Sequence, residues 1–157
     1  MSRASYQIID EPARSGISNW AVNPVFPLLA VMLAGAVPGY AFGVVNSFAI
    51  GSATRRKEIL WSIAGVVGLA ALVFAGALLA NQGLLSSRLG PYYGISLLVW
   101  RLYAGYRIYM SQSMAFELHE YFGGPVRNGL IPLLALAFLT PQIPWPAPFD
   151  RLADIWF

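Results

Sequence analysis

The sequence predicts an all-α, polytopic membrane protein with about four transmembrane helices, the third of them long. The composition is the first reason: 57% of the 157 residues are hydrophobic and only 11% are charged, whereas soluble domains carry about 25% charged residues. The second reason is a series of apolar runs near or above the ~20 residues that cross a ~30 Å hydrocarbon core. The third is the absence of cysteine, which excludes a disulfide scaffold. We therefore interpret 1–157 as a single membrane domain.

A polar tail precedes the first predicted helix. This tail, 1–19, lacks the apolar core of a cleavable signal peptide. The helix is predicted over 22–50, with Trp20 just before it, where an interfacial aromatic residue is typical. Pro24 suits its first turn, whereas Pro38 lies inside the run and predicts a kink.

The second and third predicted helices differ in how apolar they are. The second, 59–80, is the clearest span because its 22 residues contain no charge. The third, 92–121, meets no helix breaker before the Gly-Gly-Pro at 123–125, but Arg101 follows its first apolar stretch. We expect its first part to cross the bilayer and its last part to project from the membrane or lie along the surface.

The fourth predicted helix, 125–140, is short. At 1.5 Å per residue it measures about 24 Å, so a complete, a thinned and a re-entrant crossing all stay open. A Pro-rich tail, 141–157, follows and alternates large apolar residues with charged ones. This pattern predicts an interfacial C-terminal segment.

The basic residues predict an orientation and a location. In a chain with four spans, five of them lie on the side of the first and third loops: Arg55, Arg56, Lys57, Arg107 and Arg127. Four lie on the other side: Arg3, Arg14, Arg88 and Arg151. By the positive-inside rule this places both termini outside, in a multi-pass protein of the bacterial inner membrane.

Small residues recur at four-residue spacing in the first predicted helix: Gly35, Gly39, Gly43, Ser47 and Gly51. Such a face lets another helix backbone approach closely. One interpretation is packing within the chain, against small residues of the second helix such as Gly65, Gly68 and Ala75. The other is a seam for self-association or for a partner subunit, although Pro38 disfavours a simple symmetric dimer.

A polar cluster is predicted on the third helix. Arg101, Gln112 and His119 are separated by 11 and 7 residues, which places them within about 20° of one helical face. Asn46 ends the first helix on the same side, at the predicted cytoplasmic interface. Arg101 costs about 2.5–3.5 kcal/mol at the bilayer centre. It is therefore expected either to snorkel to the headgroups or to anchor a partner's carboxylate or a lipid phosphate.

No catalytic residue, metal site or cofactor is predicted. The single histidine excludes a bis-His haem, and the His and carboxylate ligands of a zinc or di-iron site are missing. The chain contains no GxSxG, HExxH or P-loop motif. The basic residues are scattered apart from Arg55-Arg56-Lys57, so nucleic acid is not an expected partner.

The sequence resembles a family of small, four-helix inner-membrane proteins of bacteria. The similarity lies in the Gly/Pro-rich first helix ending at 46–51, the basic pair Arg55-Arg56, the spacing of Gln112 and His119, and Gly-Gly before the last helix. It covers about half of the chain and excludes the C-terminal tail. The resemblance implies a four-helix membrane fold and no known activity.

The sequence leaves two classes of function. The first is a non-catalytic accessory or interaction protein, either a subunit of a larger membrane complex or an immunity-type protein. The expected partners are the lipid bilayer and a membrane protein or a second copy. The second class is a homo-oligomeric channel or small-solute transporter, for which the spans supply only a few polar residues, chiefly Asn46, Ser62, Ser96 and Arg101.

Overall fold

A computed structural model describes residues 16–84 and 89–140, and most of these residues are helical. A 3-10 turn, Ser18–Trp20, precedes five α-helices: α1 Val25–Leu33, α2 Ala36–Ala49, α3 Arg55–Asn81, α4 Gly90–Tyr121 and α5 Leu130–Leu139. No strand forms in the described ranges. The predicted all-α class is confirmed. The predicted C-terminal tail and most of the predicted N-terminal tail lie outside the described residues.

The predicted first helix is two helices, so the expectation of one helix over 22–50 with a kink at Pro38 is wrong. The chain breaks at Ala34–Gly35, where Gly35 has φ +101°, a conformation that favours glycine. Pro38 lies in the first turn of α2, where its missing N–H would have no helical partner.

α1 and α2 form a tight antiparallel pair, called the hairpin below. Gly39 faces the backbone of Val31 so closely that a Cβ atom at Gly39 would overlap it. Further from the break, Gly43 lies opposite Pro27, with 3.8 Å between its ideal Cβ position and the proline Cβ. In both pairs, one residue precedes the break and the other follows it at the same distance in the sequence. This pairing defines an antiparallel arrangement.

The two long helices, α3 and α4, form the second antiparallel pair. The indole N–H of Trp100 donates to the Gly65 carbonyl at 3.1 Å, and nearer the connecting turn the Tyr93 hydroxyl donates to the Leu72 carbonyl. Trp61 meets Tyr103 edge to face at a centroid distance of 5.8 Å. α3 is longer than the predicted second helix, since it begins at Arg55, one turn before residue 59.

The hairpin reaches only part of the way along the α3–α4 pair. Near its tip, the Tyr40 hydroxyl donates to the Arg101 carbonyl at 2.8 Å, and the Tyr40 ring lies against Gly65. Gly65 stands 16 residues before Asn81, so about 24 Å of α3 continues past the level of Tyr40. Both open ends of the hairpin therefore lie at the end of the α3–α4 pair where α3 starts.

The last helix is shorter than the predicted 125–140. Arg127 lies in a bridge with Val22, and its N–H donates to the Ala21 carbonyl at 2.8 Å. These contacts hold residues 125–129 in a non-helical segment, so α5 begins only at Leu130. Its 10 residues measure about 15 Å.

One described helix, Arg55–Asn81, is long and apolar enough to cross a membrane. Only 22% of its most apolar 18-residue window is buried. The helix is apolar on all sides rather than on one face, which is typical of a core helix or of a membrane span. The low burial sets α3 apart from the core helix of a soluble protein.

Candidate functional site

Three polar side chains are buried where α2, α3 and α4 meet. Glu58 and Gln112 are 0% exposed, and Asn46 is 1% exposed. They come from the first turn of α3, the C-terminal half of α4 and the last turn of α2. We call these three residues the polar chain.

Gln112 is the centre of the polar chain. Its amide N–H groups donate to the Gly43 carbonyl at 2.6 Å and to Oε2 of Glu58 at 3.1 Å. Its amide oxygen accepts from Nδ2 of Asn46 at 3.2 Å. The Asn46 oxygen in turn accepts the Val22 N–H at 3.0 Å. One side chain therefore connects α2 to α3, and through Asn46 to the segment before α1.

Glu58 is stabilised in the interior by neutral donors and by its place in the helix. Its Oε1 atom accepts from the hydroxyls of Ser52 and Thr54, the latter at 2.7 Å. Its other oxygen accepts from Gln112. The first turn of a helix carries a partial positive charge from the aligned peptide dipoles, which favours a carboxylate there. Hydrogen bonds to the carboxylate offset the cost of removing it from water.

Sequence reasoning missed Glu58 because the second helix was predicted to begin at residue 59. Two signals point to it. An acidic residue in the first turn is typical of a helix N-terminus. Glu58 also continues the spacing of the buried face of α3, whose next members are Ser62, Gly65 and Leu69. A carboxylate on the buried face of an otherwise apolar helix indicates a specific polar contact.

Arg101 caps the end of α1. Its Nε and Nη2 atoms donate to the carbonyls of Val31 and Met32, each at 2.8 Å. The last carbonyls of a helix have no partner within it and carry a partial negative charge. The side chain is 7% exposed and is directed to the hairpin. The structure thus gives Arg101 contacts within the chain, and its expected headgroup or partner contacts stay a prediction.

The predicted cluster is divided into three separate contacts. Arg101, Gln112 and His119 all lie on the buried face of α4. They are about 16 Å and 10 Å apart along the axis, from the rise of 1.5 Å per residue. Of these three residues, only Gln112 bonds to Asn46. Nε2 of His119 lies 3.1 Å from the Pro125 carbonyl oxygen, in the turn that follows α4.

The row of small residues packs inside the chain. Gly39, Gly43 and Ser47 are buried on α2, and the first two contact the hairpin partner and α4. Gly35 and Gly51 lie in turns instead, with φ values of +101° and +67°. Of the predicted partners on α3, Gly65 contacts Tyr40 and Gly68 contacts Trp100.

A small cavity adjoins the polar chain. The cavity beside Gln112 has a volume of about 10 Å³ and is bordered by Pro27, Gly43 and Ile108. That volume is about the minimum for one water molecule. Residues 16–84 and 89–140 contain no group of three or more His, Cys, Asp or Glu side chains that could hold a metal ion. The polar chain joins α2, α3 and α4.

Replacing Glu58 tests the polar chain. We expect Glu58→Leu to lower the free energy of unfolding by about 2–3 kcal/mol, because Gln112 and two hydroxyls lose a buried acceptor. Glu58→Gln should cost less, since its oxygen can face Gln112 and its NH₂ can donate to the hydroxyls. Chemical unfolding in detergent, followed by tryptophan fluorescence, measures both. The exposed Glu117→Leu is the control; equal losses for all three variants would contradict the role of Glu58.

Replacing Arg101 tests the cap on α1. We expect Arg101→Leu to destabilise the protein by about 2–3 kcal/mol, because the carbonyls of Val31 and Met32 lose a charged donor. Arg101→Lys should recover part of the loss, since an ammonium donates but cannot bond both carbonyls in the fixed geometry of a guanidinium. Thermal unfolding of the purified variants measures this order. The exposed Arg56→Leu is the control, and an Arg101→Leu variant as stable as that control would rule out the cap.

Comparison of the chain with protein-family models, with curated proteins and with solved structures finds no match. Function is therefore inferred from the residues and the geometry described above.

Proposed function

We propose that the chain is a non-catalytic, multi-pass protein of the bacterial inner membrane that works by binding. It is either an accessory subunit of a larger membrane complex or an immunity-type protein. One observation carries this proposal: the buried polar groups of the polar chain bond to one another beside a cavity of only about 10 Å³, whereas the outer surface is widely apolar. The outer surface is thus the part available for interaction.

The exposed face of α3 supports a lipid environment. Leu60, Ile63, Val67 and Phe74 are each more than half exposed. Soluble monomers rarely expose a contiguous apolar patch of this extent. In lipid such side chains cost nothing, because hydrocarbon tails are as apolar as leucine.

The three short helices support the same environment. α1, α2 and α5 contain no charged residue. Yet large side chains on all three are exposed, including Leu33 at 60%, Val45 at 54% and Ile131 at 77%. Helices of this composition require apolar surroundings on their outer faces as well as inside.

One end of the bundle has the pattern of a membrane–water interface. Three arginines there stack on aromatic rings: Arg55 on Phe48 at 4.5 Å, Arg107 on Trp61 at 4.9 Å and Arg127 on Trp20 at 5.1 Å. Aromatic rings and basic side chains both favour the headgroup region. We call this end, where α3 starts and α4 finishes, the basic end.

In the proposed arrangement α3 and α4 cross the membrane, and the hairpin enters from the basic end and returns there. Irregular backbone at membrane depth is tolerated only where protein covers it, and Arg101 covers the break. The positive-inside rule then places the basic end in the cytoplasm. This puts Ser18–Trp20 on the cytoplasmic side, the reverse of the orientation predicted for a chain with four spans.

Labelling of single cysteines tests this arrangement cleanly, because the natural chain has none. In intact cells, a membrane-impermeant thiol reagent should label Gln82→Cys, beyond the far end of α3. Ala53→Cys, at the basic end, should react only after the membrane is opened. Leu33→Cys, at the hairpin tip, should react in neither case, because lipid surrounds it. Labelling of Ala53→Cys and Gln82→Cys from the same side would contradict two crossing helices.

Purification in mild detergent tests the functional class. For an accessory protein we expect native mass spectrometry to find a second gene product in fixed ratio. We also expect liposomes containing the chain alone to be as impermeable to ions as empty liposomes. A pure homo-oligomer that conducts ions would contradict the proposal and favour a channel. Arg101→Leu serves as a comparison. Any loss of partner binding in this variant should parallel its loss of hairpin stability.

A further inference from the structure

A wide apolar groove lies between α2 and α5. Its volume is about 920 Å³, within the range of about 300–1,000 Å³ typical of small-molecule sites. α2 supplies one wall, with Pro38, Ala41, Phe42 and Val45. α5 supplies the other, with Ile131, Pro132, Ala135 and Leu136. Both walls consist of apolar side chains, so the groove fits a hydrocarbon ligand.

A positive charge is fixed at one end of the groove. Arg127 and Trp20 both line it there, and the guanidinium stacks on the indole at 5.1 Å. The backbone of Arg127 is held by its hydrogen bond to the Ala21 carbonyl. A stacked guanidinium presents its N–H groups at its edge, in a geometry that matches phosphate oxygens. The groove is therefore apolar along its length and basic at its mouth.

The length of the groove is about two thirds of one leaflet of a bilayer or slightly more. Its walls run over six residues of α5, from Ile131 to Leu136, and eight of α2, from Val45 to Pro38, which is about 9–12 Å of helix. One leaflet contributes about 15 Å of hydrocarbon. The groove starts at the basic end and runs toward the hairpin tip, the direction that an acyl chain takes from its headgroup.

We propose that this groove binds an anionic phospholipid of the cytoplasmic leaflet. The phosphate pairs with Arg127, and an acyl chain lies between α2 and α5. This inference rests on the proposed membrane arrangement, which places the mouth at the cytoplasmic surface. Basic pockets between helices on that side are suited to anionic headgroups.

Native mass spectrometry of the full chain, titrated with defined lipids in detergent, tests the proposal. We expect phosphatidylglycerol to bind more tightly than phosphatidylcholine. Arg127→Gln should weaken phosphatidylglycerol binding about fivefold, the effect of one basic side chain near an anionic headgroup, and should reduce the preference between the two lipids. The control is Arg56→Gln, an exposed basic residue outside the groove, which should bind as the natural chain does.

Filling the groove tests the acyl site separately. Ala41→Trp on one wall and Ala135→Phe on the other should each reduce the binding of both lipids, and the unfolding midpoint shows which variants are folded. The proposal is overturned if the natural chain binds no phosphatidylglycerol, if Arg127→Gln behaves like Arg56→Gln, or if a folded filled variant binds lipid normally. If one of these three results is found while the single-cysteine variants are labelled as expected, only the lipid site in the groove is rejected. Labelling of Ala53→Cys and Gln82→Cys from one side would reject the membrane arrangement itself.

Discussion

The fold depends on satisfying the backbone where the hairpin turns. A helix that ends in apolar surroundings leaves its last carbonyls without partners, and each such group costs several kcal/mol in lipid. Here one cation, Arg101, donates to two of those carbonyls at the end of α1. The charge that makes α4 a poor apolar span is therefore the group that lets α1 and α2 stop and reverse.

Two contacts from the same face of α4 fix the hairpin at two heights. Arg101 holds the tip, and Gln112 holds the base through Gly43 and Asn46. Gln112 also bonds Glu58, so the start of α3 is joined to the same point. Glycines at the close approaches, such as Gly39 against Val31, let the backbones come near enough for these bonds. Packing and polar contacts thus specify one arrangement together.

Composition and apolar runs were sufficient to predict the helical class, the long α3 and α4, and the shared face of Arg101, Gln112 and His119. They did not predict the break at Gly35, because its positive φ is stabilised by tertiary contacts such as Gly39 with Val31. The partners of Arg101 were out of reach, since they are backbone carbonyls about 70 residues away, which leave no mark in the sequence. Glu58 was missed because propensity places helix starts only to within a few residues.

The long separation between Arg101 and its partners has a consequence for biosynthesis. The charge-free helices α1 and α2 are synthesised before Arg101 and Gln112, which both lie on α4. Closing a loop of this length costs conformational entropy before the contacts that offset this cost can form. The turn between α1 and α2 therefore lacks its bonds to Arg101 until α4 has been made, so these contacts form late in biosynthesis. A translational delay between α3 and α4 would prolong the interval in which this unfinished form exposes hydrophobic surface and is prone to aggregation.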